Sequence, residues 1–181
     1  AIAQSVESMI SLKSNKTSLY YAKKSLELSI TNYLPFIKKP NLENSNKMLI
    51  SSNLAGKAIN ISKTTAPHAV SYPFSSMFGI SHGHAVSLTF EKFLLFNYLN
   101  SNRSLSSFNL KNRYKIIFEL FNVKNINELC QKIKYIKQQA NLSDSFKELG
   151  INITANSDKI LNQVNSLRLK NNPVMLTKNN I

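Results

Sequence analysis

Cysteine is nearly missing from these 181 residues: Cys130 stands alone, which excludes an intrachain disulfide framework and any multi-cysteine zinc or iron-sulfur site. A reducing, cytoplasmic setting is the expectation. Glycine (4) and proline (5) are also scarce. They are too few for the tight turns of a sandwich or barrel, so an all-α protein is expected. No run of about 18 uncharged apolar residues occurs, and no basic-then-apolar leader ends in a small-residue cleavage site. Neither a membrane span nor a secreted precursor is expected. Acids are the last shortage. Nine Asp and Glu against 23 Lys and Arg give a formal charge of +14, which draws phosphates or acidic membranes in a salt-sensitive way. The lysines are nevertheless spread along the whole chain, and only Arg103, Arg113 and Arg168 offer the bidentate fork on which base readers lean. No nucleic-acid partner is expected, and an absent acidic domain would account for part of the imbalance.

What is present is helical periodicity on a scale that one globular domain can bury. Ile2, Val6, Met9 and Ile10 share a face of a helix over Ile2 to Leu12 that opens without a cap of its own. Asn15 or Thr17 caps a helix to about Tyr33, with Leu19, Leu26 and Ile30 buried; Pro35 and Pro40 bracket a connector. Asn41 starts a long helix through about Ile61, with Met48, Leu49, Leu54, Ala58 and Ile61 inward. Gly56 within it costs up to about 1 kcal/mol relative to Ala, so a packing reason is expected. Pro67 suits the first turn of a helix carrying His68, Pro73 weakens or kinks that helix, and Gly79 ends it. Ser81 is the expected cap of a helix from His82 to about Phe96, with Val86, Leu88, Phe93 and Leu94 as core. After a polar loop over Ser101 to Ser107, helices are expected at Leu110 to Phe121, Ile126 to Gln139, Ser143 to Leu149 and Asp158 to Leu167. The Asn171-Asn172-Pro173 run then breaks the pattern.

There is no glycine-rich phosphate loop, no Gly-x-Ser-x-Gly elbow and no carboxylate pair that stands out. Nucleotide binding by this chain alone is therefore not expected. Cys130, between Leu129 and Ile133 on an apolar face, reads as a structural thiol. The histidines carry more information, because His68, His82 and His84 fall within 17 consecutive residues beside small neighbours, in Ala-Pro-His-Ala and Ser-His-Gly-His. Neutral imidazole suits Fe, Zn, Cu or Ni, and two histidines with a carboxylate form a recurrent open metal site. A 14-residue spacing spans roughly 21 Å on an unbroken helix, so His68 and His82 meet only across a chain break, which Pro73 and Gly79 supply. Isolated structural histidines are the alternative.

At these residues the chain resembles the C-terminal helical domain of the iron-containing (group III) alcohol dehydrogenases, whose fold is similar to the α domain of dehydroquinate synthases. The matching run is Ala55-Gly56-Lys57-Ala58, then His68-Ala69-Val70-Ser71-Tyr72-Pro73, then Gly79-Ile80-Ser81-His82-Gly83-His84-Ala85-Val86. Both ends support it. Ala1-Ile2-Ala3-Gln4-Ser5-Val6-Glu7-Ser8 is similar to the family's Asp-Ala-x-x-His-x-x-Glu helix without its first residue, and Asn171-Asn172-Pro173-Val174-Met175-Leu176-Thr177 resembles its closing Asn-Pro-x-x-Leu-Thr segment. The resemblance implies that His68 and His82 are metal ligands, with Fe2+ expected and Zn2+ the alternative. The family's aspartate ligand would fall just before Ala1, and its next histidine falls on Gln4, whose amide oxygen is a weaker ligand. Glu7 reads as a structural acid on the same helix face. Gln4 and the His-Gly-His-Ala-Val run are shared with a branch similar to phosphonoacetaldehyde reductases.

The resemblance further implies an N-terminal Rossmann-like domain that binds NAD(P) and is absent from this chain. It also implies a continuation past Ile181. A small alcohol or aldehyde would sit between the two domains, its oxygen on the metal, exchanging hydride with the nicotinamide. Tyr72, one turn after His68, lines the pocket or relays a proton in this reading. His84 is the other relay candidate, though it points roughly 200° away from His82 around a helix. The isolated chain is expected to be inactive, and a homodimer through an exposed apolar face is one expected assembly. Two rivals remain open: a non-catalytic basic module that binds an acidic partner, and the same fold with too few ligands to hold a metal.

Overall fold

In the computed structural model, which describes residues 1–177 and residue 180, the chain is all-α as expected. The elements are α1 (Ile2–Ile10), α2 (Lys16–Lys38), α3 (Leu42–Ser62), α4 (Ala66–Phe78), α5 (His82–Leu99), a 3-10 turn (Ser101–Arg103), α6 (Leu110–Phe121), α7 (Ile126–Gln139), α8 (Ile153–Asn162) and α9 (Ser166–Leu169). Among the described residues there is no strand, and no helix is long and apolar enough to cross a membrane. Ile181, past which a continuation was expected, lies outside them. Asparagine does most of the capping. The side chains of Asn15, Asn41, Asn109, Asn125, Asn152 and Asn165 each accept the N–H three residues on, satisfying a donor that the first helical turn leaves orphaned.

Two apolar clusters share α5. The larger joins Val6, Met9 and Ile10 of α1 to Leu26, Phe90, Leu94, Tyr114, Ile117, Phe121 and Leu129. The smaller joins Ala66, Val70 and Phe74 of α4 to Ala85, Leu88 and Phe93, with Ile151 and Ile160 beneath. Val86, Leu88, Phe93 and Leu94 are buried, as their spacing requires.

Several boundaries and faces differ from the sequence expectation. α2 runs through Pro35 to Lys38 rather than stopping near Tyr33. The ring removes one donor, but its would-be acceptor belongs to Thr31, which is exposed and open to water. α3 turns Asn44, Ser51, Ala55, Ala58 and Ser62 inward, whereas Leu49 is 69% exposed alongside Leu42 and Ile50. Close approach to α2 demands small side chains, and that requirement overrides hydrophobicity on this face. Gly56 is exposed, and a Cβ there would meet nothing within 4 Å, so it serves no packing purpose. α4 continues through Pro73 and ends on Gly79 in the left-handed conformation (φ +66°). The carbonyl that Pro73 leaves free, Ala69 O, accepts the Asn165 N–H at 3.2 Å. α5 extends to Leu99. Residues 143–149 form turns rather than helix, and the predicted Asp158–Leu167 helix is instead α8, capped earlier by Asn152, with α9 separate from it.

Candidate metal and substrate site

The site begins with an acid buried in α1. Glu7 is completely buried, and an isolated carboxylate there would be costly to desolvate. It is instead fully engaged. Its Oε1 accepts from Thr65 N (3.1 Å), Thr65 Oγ1 (3.0 Å) and His68 N (3.3 Å), and its Oε2 meets His68 Nδ1. Thr65, at the N-cap position of α4, makes no side-chain cap of its own. Glu7 caps α4 from another helix and places negative charge at its positive end. The same contact fixes the His68 ring, with Nδ1 donating to the carboxylate and Nε2 left without a hydrogen bond among the described residues. This carboxylate–imidazole pairing is the one that orients metal-bound histidines.

The turn that delivers Thr65 is held in a strained shape. Lys63 sits in the left-handed region (φ +60°). The buried Asn171 amide bridges it, donating to Ser62 O (2.8 Å) and Thr64 O (2.9 Å) and accepting from Lys13 N (3.3 Å).

Across the Gly79–Ser81 break, His82 opens α5 and brings its ring centroid to 5.3 Å from that of His68. The separation of about 21 Å expected on one helix is thus closed by Gly79, not by Pro73. Ser81 occupies the N-cap position, but its hydroxyl makes no cap. Gln4, His68, His82 and His84 all line one cavity of about 460 Å3, whose remaining wall is largely apolar, including Met48, Val86 and Phe90. Desolvation lowers the His82 pKa below its ordinary 6.5, and the neighbouring His68 and the Arg168 guanidinium add to the effect while Glu7 opposes it. At pH 7 its imidazole is therefore neutral, the form that a metal takes. Among the described residues no third His, Cys, Asp or Glu joins these two in a metal-ready cluster. The donors present thus fit two corners of a metal site, with Gln4 at the rim.

Tyr72 lies with its ring 6.0 Å from His82, and the Arg168 guanidinium covers the same ring at 5.4 Å. His84 lines the cavity, but its Nε2 is bonded to Ser143 O at 2.7 Å, so this imidazole ties the 143 turn to α5. Cys130 is a half-buried thiol whose pKa is raised by burial and by the Glu91 charge, consistent with a structural role.

Sequence reasoning did not find the charged group on the opposite wall. Lys137 lines the cavity and is almost wholly buried; its Nζ donates to both oxygens of Glu91 at 2.8 Å, to Ser87 O at 3.2 Å, and pairs with Asp144 at 2.5 Å. One signal was available, since Lys137 falls on the apolar stripe of α7 with Leu129 and Ile133.

The chain belongs to the Fe-containing alcohol dehydrogenase family, whose C-terminal model matches residues 1–181. It is 29% identical over 113 residues to a 4-hydroxybutyrate dehydrogenase of Clostridium kluyveri, covering 60% of this chain and 30% of that protein. It is 39% identical over 44 residues to a phosphonoacetaldehyde reductase of Streptomyces viridochromogenes, covering 24% of this chain and 11% of that protein. In fold it is similar to a sulfoacetaldehyde reductase from Bifidobacterium kashiwanohense solved with NAD+ (TM-score 0.84, 24% identity, 98% of this chain and 45% of that one). The chain thus spans less than half the length of these relatives.

Proposed function

We propose that this chain is the metal- and substrate-binding part of an NAD(P)-linked alcohol dehydrogenase or aldehyde reductase that works in the cytoplasm on a short substrate with an anionic far end. The observation that carries the reading is the meeting of His68 and His82 at one cavity, with Glu7 fixing His68 from behind. The anionic end is supported by two relatives, one named for 4-hydroxybutyrate and the other for phosphonoacetaldehyde; each compound carries an acidic group a few carbons from its reacting oxygen.

His68 and His82 would hold the ion, Fe2+ before Zn2+, with Gln4 beside it. When bound, the divalent ion supplies Lewis acidity at the substrate oxygen, and NAD(P) on a partner nucleotide-binding domain supplies or takes the hydride. The chain's own contribution is positional. Glu7 holds the His68 tautomer, the apolar wall of Met48, Val86 and Phe90 keeps water from the reacting carbon, and Tyr72 borders the substrate. In this arrangement Tyr72 is the better candidate to hand on a proton, because His84 Nε2 is committed to Ser143 O.

Elemental mass spectrometry of the purified chain, with His68→Ala and His82→Ala beside it, tests the reading. Near-stoichiometric Fe or Zn, lost in both variants, is expected. A metal-free wild-type chain, or metal retained in both variants, overturns it. No NAD(P)-dependent turnover by the 181-residue chain alone is expected, because this reading places the nucleotide on another domain.

A further inference from the structure

We propose that Arg168 is the specificity residue of this site: its guanidinium, laid over Tyr72, binds the terminal oxyanion of a short-chain aldehyde or alcohol whose oxygen end lies at His68 and His82. The inference rests on the dehydrogenase reading above and adds the residue that selects the substrate and the chemistry by which it does so.

Three observations converge on it. The first is position. Arg168 covers the Tyr72 ring at 5.4 Å, and Tyr72 in turn contacts the His82 ring at 6.0 Å, so one aromatic side chain separates the guanidinium from the histidine pair. A substrate with its oxygen at the histidines and its chain along Tyr72 would bring a terminal anion to Arg168.

The second is free valence. A guanidinium has five N–H donors in a planar fork that matches an oxyanion bidentately. Among the described residues the Arg168 side chain makes one hydrogen bond, from NH1 to Thr64 Oγ1 at 2.5 Å, and no carboxylate lies within ion-pairing distance of it. The contrast with Lys137 is direct. That cation, unlike Arg168, lines the 460 Å3 histidine cavity itself, but Glu91, Asp144 and Ser87 O already occupy its ammonium. Arg168 lies outside the lining of the histidine cavity and borders a separate cleft of about 670 Å3 together with Lys13 and Lys63, with the Tyr72 ring between it and His82, so anions approach it along a positive wall.

The third is that its placement is built in. Pro73 frees Ala69 O, which takes the Asn165 N–H; the Asn165 side chain then accepts the Arg168 N–H at 3.0 Å. A proline that would ordinarily weaken α4 instead ties the backbone of Arg168 to the helix that carries His68 and Tyr72.

The test is isothermal titration calorimetry of the chain with 2-hydroxyethylphosphonate and, as the neutral control, propan-1-ol. Metal content and melting temperature are measured on the same samples. Wild-type chain is expected to prefer the phosphonate by about tenfold or more. Arg168→Met should abolish the preference, and Arg168→Lys, which keeps the charge without the fork, should restore part of it, with metal content and melting temperature unchanged in both. No preference in the wild type, or an undiminished one in Arg168→Met, overturns the proposal. So does equal binding of inorganic phosphate that displaces the probe, which would mark the Lys13–Lys63 cleft as a general anion site. A metal-free chain that keeps the Arg168-dependent preference would sink the dehydrogenase reading and leave this one standing; metal without the preference does the reverse.

Discussion

Glu7 shows how one residue can serve two purposes that pull in the same direction. Its carboxylate is the cap that α4 lacks and the partner that sets the His68 tautomer. Glu7→Gln retains shape and can still accept from Thr65, but it removes the charge and presents an amide N–H as readily as an oxygen to His68 Nδ1. Loss of an outer partner of this kind lowers metal affinity by roughly 10–100-fold, and competition with a chelator of known affinity should show it; affinity equal to wild type would mean that Glu7 only caps. In the sequence, Glu7 is readable as a structural acid from its helix face. Its partner is not, because Thr65 and His68 lie about sixty positions away and no local spacing encodes that contact. The histidine pair is more legible, since small residues crowd around both rings. Arg168 reads only as one of three scattered arginines until the fold lays it on Tyr72.

At the scale of elements, the contact between α2 and α3 explains why apolar periodicity misjudged α3. The two helices are clasped by Ser25 Oγ to Ser51 O (2.7 Å) and Ser51 Oγ to Ser25 O (2.9 Å), and Ser5 of α1 adds its hydroxyl to Ser25 at 2.8 Å. Backbones that come this close leave no room for Leu49, which turns outward with Leu42 and Ile50. A serine and alanine stripe carries almost no hydrophobic signal, so it is read as surface from sequence alone. Ser25→Leu should force the helices apart, costing at least about 1–3 kcal/mol as overpacking does, together with the loss of the buried hydrogen bonds. Denaturant melts of the variant beside Leu49→Ser would check this, because Leu49→Ser should stay within about 0.5 kcal/mol of wild type. The capped starts of α2 and α3, at Asn15 and Asn41, were legible for the opposite reason. Asparagine followed by an amphipathic run is a local pattern, and local patterns survive folding unchanged.

For the molecule as a whole, the Lys137–Glu91–Asp144 group ties α5, α7 and the 143 turn together where they wall the cavity. Breaking a buried pair strands the remaining charge, and Glu91→Ala is expected to cost about 3–5 kcal/mol. The double variant Glu91→Leu with Lys137→Met should recover much of that loss in the same melts; if the single and double variants are equally destabilised, the pair is not the cause. The place of Lys137 on the apolar stripe of α7 hints at burial, but no sequence pattern announced its partners, since Glu91 and Lys137 lie 46 residues apart.

The Asn171 bridge carries a consequence for the order of events in folding. It joins Lys13 to Asn171 across 158 positions, while Arg168 reaches Thr64 across 104. Contacts of such separation repay their loop-closure entropy only after most of the intervening chain is in place. The helices can therefore assemble before the strained Lys63 turn is clamped, and the histidines gain their final alignment with the last closures rather than the first. A chain in which these closures are not yet made is expected to keep its helices while its histidines are still unaligned, so the site should be acquired late in folding.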